Sequence, residues 1–320
     1  MLEEFRKAKE LIEKANSIYI VGHVNPDGDA IGSGIAMYLS LKKLGKNPTV
    51  IMQNYSDSFA FLPHLKETKK EIEEDTIDLL ICVDSSDFLR LDLKEEDRLK
   101  AKKKIVFDHH KVVKEYGDVN CVDSNLPAAS EMVFNFLNFL NLEIDKEIGM
   151  YIYTGLMTDT GSFNYSSTLP STLKAAAFLI EKGVDFSYIC DKLNHTMKEA
   201  KLKLIAKTIE NMEVYFNGKL RYSYISYETI KALGLDDEDA EGMTNYLRYP
   251  EGTEVAAYVR GKSDGTNKVS LRSGGSVDVS EIAISFGGGG HIRAAGYTMK
   301  ENLEVEKNKL IEIIGGKIKC

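Results

Sequence analysis

In the first 160 residues, four apolar runs each give way to a loop that holds acids or histidines, and this pattern constrains the chain most. Ile18–Val21 leads into Gly22-His23-Val24-Asn25-Pro26-Asp27-Gly28-Asp29, and Leu79–Val83 into Asp84-Ser85-Ser86-Asp87. Lys104–Phe107 leads into Asp108-His109-His110, and the apolar stretch 146–157 into Thr158-Asp159-Thr160-Gly161. A further apolar run, Thr49–Met52, carries no such loop. Short apolar runs separated by helical stretches (3–15, 30–44) predict a parallel sheet covered on both faces. In such a sheet the carboxyl ends of the strands share one edge, so loops far apart in sequence converge there.

Taken singly, each loop has a plainer explanation. Asn25-Pro26-Asp27-Gly28 is strong turn chemistry, Asp84 and Asp87 suit helix caps, and Asp159 before Thr-Gly suits a turn. Convergence changes the argument. Two carboxylates 4 Å apart repel by about 4 kcal/mol at an effective dielectric of 20, so a cluster of Asp27, Asp29, Asp84 and Asp159 needs compensating charge. Divalent cations supply it, and mixed carboxylate and imidazole donors suit manganese better than calcium or magnesium. No cysteine stands among the candidate ligands, which argues against a thiolate-rich zinc site.

The second half predicts helices over 171–182 and 278–286, strands over 220–226, 253–260 and 267–272, and a last helix over 301–314. Residues 188–213 read as one long polar helix without core load, suited to connecting two domains, and 94–104 as a solvated helix face. At 320 residues the chain has room for two domains. Its net charge of −8 argues against tracking long nucleic acid, which needs a broad basic surface, and favours a short substrate. Four scattered cysteines, an N-terminus without an apolar signal region and no run of 18 apolar residues predict a cytoplasmic protein that does not span a membrane. His64 and His195 fall outside every motif and read as surface or core.

His23-x-x-x-Asp27-x-Asp29, Asp84, Asp108-His109-His110 and Asp159 resemble the four motifs of the DHH phosphoesterase superfamily. Gly287-Gly288-Gly289-Gly290-His291-Ile292-Arg293-Ala294-Ala295-Gly296, preceded by Val269–Ser273, resembles the Gly-Gly-Gly-His region of the DHH-associated domain. Length and domain pairing are most similar to the NrnA-type branch of nanoRNases and pAp phosphatases. The resemblance implies an α/β fold with a catalytic domain over 1–187, a helical linker over 188–210 and a smaller α/β substrate-binding domain over 211–320, with the active site in the cleft between the domains. It implies two divalent cations, manganese first, with magnesium or cobalt as alternatives. His23, Asp27 and Asp84 would hold one; Asp29, Asp84, His109 and Asp159 would hold the other, and a water between the two cations would attack phosphorus. Asp108 would orient a ligand histidine, and His110 would face the scissile phosphate.

In the second domain, Arg272, Gly288, Gly289, Gly290, His291 and Arg293 would bind substrate, helped by the dipole of a helix following the glycines. The implied substrates are short RNA, linear dinucleotides such as pApA, and pAp; the implied assembly is a homodimer. Many members carry a basic residue where this chain has Asn164. Rival readings are an inorganic pyrophosphatase, whose Ser-Arg-Lys tripeptide is missing here, a RecJ-like exonuclease, which is usually larger, and a non-catalytic nucleotide sensor.

Overall fold

The computed structural model describes residues 1–110, 115–237 and 239–318, so Cys320 lies outside the described residues. The chain divides into two compact units, Met1–Thr196 and Met197–Cys320.

The first unit runs α1 (Leu2–Lys14), β1 (Ile18–Val21), α2 (Gly28–Lys43), β2 (Pro48–Ile51), β3 (Ile77–Val83), α3 (Glu95–Arg98), β4 (Ala101–Asp108), β5 (Val119–Val122), α4 (Ala129–Phe139), α5 (Lys146–Asp159), α6 (Pro170–Glu181) and α7 (Phe186–Cys190). The five strands form one sheet in the order β2-β1-β3-β4-β5, with every pairing parallel. β1 and β3 are buried along nearly their whole length, as strands covered on both faces must be. One face packs against α1, α2, α4 and α5 through residues such as Ile20, Ile35, Phe107, Phe136 and Tyr151. The other holds Tyr19, Val21, Leu80, Cys82, Leu91 and Val106. Cys82 and Cys121 are free and buried, and burial pushes each thiol up to about 12. No helix of the described residues is long and apolar enough to cross a membrane.

Two helical expectations are corrected here. The segment 94–104 is a single helical turn, Glu95–Arg98, followed by the start of β4 at Ala101. Pairing with β3 overrides the charged pattern, since Ala101 lies opposite Ile77 and Lys103 opposite Leu79. Lys102 and Lys103 meet their charge partners Asp78 and Asp118 at 2.8 and 2.7 Å. The stretch 188–213 is not one helix either. A short π-helical turn over Asp191–His195 breaks it, the backbone is extended at Thr196 and Lys198, and α8 spans Glu199–Glu210. The Thr196 hydroxyl donates to the Asp191 carbonyl, which competes with the helical ladder. Nor is the stretch free of core load: Ile189 and Leu193 pack with the first unit, Leu204 and Ile205 with the second.

The second unit continues with β6 (Glu213–Tyr215), β7 (Leu220–Ile225), α9 (Tyr227–Ala232), α10 (Thr244–Arg248), β8 (Val255–Gly261), β9 (Asn267–Ser273), α11 (Val279–Ser285), β10 (Gly289–His291), β11 (Ala294–Thr298) and α12 (Leu303–Lys317). Its six strands follow the order β10-β11-β9-β8-β7-β6, antiparallel except for the β7–β8 pair. Alternate residues of β8 load the two faces. Val255, Ala257 and Val259 pack on the face that also holds Val279, Ile282, Leu310 and Ile314, and Ala256 and Tyr258 on the face with Leu204, Ile230 and Leu247.

Candidate metal centre

The three motif-bearing strands β1, β3 and β4 are consecutive neighbours in the sheet, so their loops leave from adjacent points of one edge. From β1 the chain passes to β2 on one side, and β3 adds on the other; the candidate site lies beside that reversal, where open α/β sheets bind ligands.

Each side chain is placed by a local device. The Asp27 carboxylate caps α2, accepting from the amides of Asp29 and Ala30 at 3.0 and 3.1 Å. Asp29, fully buried in the first turn of α2, accepts from the amides of Ala129 and Ser130 at 2.6 and 2.9 Å. It therefore caps α4 from a distance, a helix whose own N-cap residue, Ala128, offers no side-chain oxygen. Asp84 directly follows β3 and sits in the left-handed region at φ +51°, an unusual backbone state for a residue with a side chain. Asp159 ends α5, and glycine at position 28 lets that helix end approach: a Cβ there would lie 2.4 Å from the Thr158 methyl.

The outcome is a tight group. His23 Nε2 lies 3.7 Å from Asp27 Oδ2 and 3.5 Å from Asp84 Oδ2. His109 Nε2 lies 3.4 Å from Asp84 Oδ1, 3.3 Å from Asp159 Oδ2 and 3.8 Å from Asp29 Oδ2. His23, Asp27 and Asp84 form one potential ligand set, Asp29, His109 and Asp159 a second, and Asp84, His109 and His110 a third. All six residues expected as metal ligands are thus brought together within the first unit, and Asp84 stands between the imidazoles of His23 and His109.

Asp108 differs from its expected role. Its Oδ1 accepts from the backbone amides of His109 and His110 and, at 2.8 Å, faces Nδ1 of His110. It fixes the ring of His110, while Nδ1 of His109 faces the Leu126 carbonyl at 3.3 Å. Asn164 donates its amide to the carbonyls of Gly161 and Ser162, so it ties its own turn. His64 and His195, outside the motifs, sit beside acids at other places: His64 between Glu67 and Glu147, and exposed His195 next to Asp191.

Protonation shows how this cluster tolerates its charge without a cation. Burial works against protonating His23, but Asp27 and Asp84 outweigh it and hold the imidazole up to about 10. Burial likewise opposes His109, and Asp159 and Asp84 carry it to about 11. Burial tends to raise Asp84 too, yet the two imidazoliums hold it below the usual carboxylate range. Burial, with Asp84 and Asp159 nearby, raises Asp29 well above that range. A cation binding here must displace protons from the histidines. Apparent manganese affinity should therefore rise with pH, by roughly tenfold per pH unit for each proton displaced, and fall on acidification. Calorimetric titration of the metal-free protein at pH 6.5, 7.5 and 8.5 measures this, and a pH-independent affinity would contradict it.

A cavity of about 120 Å³ opens over the cluster, lined by His23, Asp27, Asp84, Ser85, Ser86, Arg90, His110 and Asp159. Ser85 and Ser86 belong to the loop read around Asp84 but were given no role, and Arg90 was missed in the sequence. The motif signal ends at Asp87, and nothing in Phe88-Leu89-Arg90 marks a turn that returns to the strand edge.

In the second unit the glycine run corrects its expectation. Gly289–His291 is a strand, antiparallel to β11, and no helix begins directly after it. Instead the run follows the carboxyl end of α11, closed by paired bonds from the Gly287 amide to Ile284 and from the Gly288 amide to Ala283. The glycines thus follow the carboxyl end of α11, whose dipole does not favour an anion, while the first amide of that helix, Val279, donates to the Ile292 carbonyl at 3.0 Å. Gly290, at φ +143°, occupies a backbone region reserved for glycine. Cross-strand register places His291, Ala294 and Arg272 in one row, on the face shared by Ala256. Strands lie about 4.8 Å apart, so His291 and the half-buried Arg272 flank the short side chain of Ala294. Arg293 is exposed in the turn between β10 and β11.

Residues 17–156 match the N-terminal domain of the DHH family, and residues 217–319 match the DHHA1 domain. The bifunctional oligoribonuclease and PAP phosphatase NrnA of Thermus thermophilus is 32% identical over 93% of this chain and 89% of its own length. The protein of the same name from Bacillus subtilis is 28% identical over 88% of each chain. Among solved structures, an exopolyphosphatase-related protein from Bacteroides fragilis superposes with a TM-score of 0.88 at 28% identity, covering 98% of this chain and 95% of that one. Manganese-bound RecJ from Thermus thermophilus shares the fold at a TM-score of 0.58 and 14% identity, over 99% of this chain and 55% of that one. With both domain matches in order and a relative similar along nearly all of both chains, this chain belongs to the DHH family and to its NrnA-like branch.

Proposed function

We propose that the chain is a metal-dependent phosphoesterase that hydrolyses short oligoribonucleotides, among them linear dinucleotides such as pApA, and the 3′-phosphate of pAp. The observation that carries this reading is the gathering of His23, Asp27, Asp29, Asp84, His109 and Asp159, with buried atoms held only by ion-pair contacts of 3.3–3.8 Å. Asp84 Oδ1 and His109 Nε2 are both buried without a hydrogen bond among the described residues. Buried polar atoms without a hydrogen bond are costly unless something binds them. Their carboxylate and imidazole chemistry fits two divalent cations, manganese first, with His23, Asp27 and Asp84 holding one and Asp29, Asp84, His109 and Asp159 the other. When bound, such a pair lowers the pKa of a water toward neutrality and absorbs charge on the phosphoryl oxygens.

The chain's own groups do the rest. Asp108 holds His110 through Nδ1, which leaves Nε2 to reach the cavity that the ring lines. Its hydrogen bond to Asp108, against a smaller burial effect, raises His110 above the ordinary histidine value, which favours the protonated form that a leaving oxygen needs. In the second unit Arg272, His291 and Arg293, beside the glycines of β10, are suited to a terminal phosphate, since a guanidinium fork matches phosphate geometry. The names of the NrnA relatives support nucleotide substrates, and a homodimer in the cytoplasm is part of the same proposal.

Turnover with manganese on pAp, pApA, a pentaribonucleotide, a 24-mer RNA and pyrophosphate tests the reading. The short nucleotides should turn over fastest and the 24-mer at least tenfold more slowly. Activity confined to pyrophosphate would overturn the nucleotide assignment, and undiminished rates on the 24-mer would overturn the preference for short chains.

A further inference from the structure

Arg90 is the one arginine or lysine among the described residues that line the cavity over the metal cluster. Its neighbours in that lining include three carboxylates, Asp27, Asp84 and Asp159. Yet none of the ion pairs or side-chain hydrogen bonds of those acids involves it. A guanidinium that faces an acidic cavity without settling on any of its carboxylates is available to an anion.

The turn that carries it is held at both ends. The Asp87 carboxylate accepts from the Leu89 amide at 2.9 Å and caps the short 3-10 turn Phe88–Arg90. The Arg90 carbonyl accepts from the Val24 amide at 2.8 Å, directly beside His23. His23 itself bridges to Leu91, a fully buried residue, and the Asp92 amide donates to the Gly22 carbonyl at 3.0 Å. Tyr116 donates its hydroxyl to the Ser85 carbonyl at 2.7 Å, and its ring lies 5.5 Å from that of Phe88. The backbone of Arg90 is thus fastened to the loop of His23 on one side and the loop of Asp84 on the other. Only its side chain is left to move, which lowers the ordering cost of gripping a ligand.

We propose that Arg90 binds the non-bridging oxygens of the scissile phosphate. The inference rests on the reading of this cavity as the phosphoesterase site and adds to it a cation from the chain itself. Asn164 carries no charge and ties its own turn, and Arg90 brings a positive charge to the cavity from a different loop. A planar fork suits two phosphoryl oxygens at once, a geometry lysine does not reproduce.

The test compares wild type, Arg90→Ala and Arg90→Lys, all loaded with manganese, on pAp and on bis-p-nitrophenyl phosphate. Both substrates present a phosphorus to attack, but only pAp presents a nucleotide. Arg90→Ala should lower kcat/KM by roughly a hundredfold or more on both, the scale of losing one preorganised donor to a developing oxyanion. Arg90→Lys should recover part of the loss, and free guanidinium chloride should partly rescue Arg90→Ala. Manganese stoichiometry and Tm should be unchanged, and the inhibition constant of inorganic phosphate should rise at least tenfold. A loss on pAp alone would overturn the proposal, because it would mean nucleotide recognition. Arg90→Ala within twofold of wild type, with Asp84→Asn inactive, would overturn it while the site reading stands. A wild type that hydrolyses neither ester and fails to bind inorganic phosphate would overturn the reading itself.

Discussion

Asp84→Ala should abolish manganese-dependent turnover, lowering kcat/KM by about three orders of magnitude or more, and should empty both metal sites together. The expectation follows from position. Asp84 Oδ2 lies 3.5 Å from His23 and its Oδ1 3.4 Å from His109, so one carboxylate serves two ligand groups that otherwise share no residue. Backbone geometry complicates the alanine variant. Residue 84 sits at φ +51°, a region that asparagine adopts readily and alanine does not. Asp84→Asn keeps the backbone and the shape while removing the charge, so it should match the alanine variant in activity yet unfold more like wild type. Metal analysis of the purified variants and melting curves with and without manganese separate the effects. Wild type should gain Tm on adding manganese, because a ligand that binds only the folded state stabilises it, and both variants should lose that gain. Wild-type metal content in Asp84→Asn would remove the basis for a shared ligand.

Arg272→Ala should lower kcat/KM on pAp and pApA by about two orders of magnitude while leaving bis-p-nitrophenyl phosphate turnover unchanged. A hydrogen bond to a charged group contributes about 1.5–3 kcal/mol, and a bidentate grip on phosphate lies at the upper end. The side chain stands in a cross-strand row with His291, with only the small Ala294 between them. The generic ester carries no second phosphate to hold, so its rate isolates the chemistry at the metals. Equal losses on both substrates would assign Arg272 a structural role; no loss on either would remove the second unit's row from substrate binding.

The clustering of these acids and histidines was largely legible in the sequence because its signals are local. Each ligand follows a buried run closely, and parallel strands put their carboxyl ends on one edge whatever the details of packing. Asp29 is an exception of degree: its place in the cluster was readable, but its bonds to the amides of Ala129 and Ser130 join segments a hundred residues apart. Arg90 was invisible for the same reason, since its position depends on the Val24 amide and the Leu91 bridge rather than on its neighbours in sequence. In the second unit, the short strands β6 and β10 carry no readable alternation, and their pairing with β7 and β11 decides their state. The glycine run suggested a loop leading into a helix because glycine permits both that and a hairpin; the contact with β11 selects the hairpin. The charged stretch at 94–104 misled because Lys102 and Lys103 are exposed positions on a strand, and exposure alone does not tell a helix face from a sheet surface.

The parallel edge that gathers the ligands also makes any cation bound there a crosslink. It would tie the loops after β1, β3 and β4 to the end of α5, closing long stretches of chain in much the way a covalent staple does. No fragment of the first unit contains a whole ligand set of the second group without spanning from α2 to α5. Loading should therefore act on cooperative unfolding of the entire unit and leave the fraying of its ends untouched. Occupancy of the centre would then report that β1, β3 and β4 lie side by side with α2 and α5 in place.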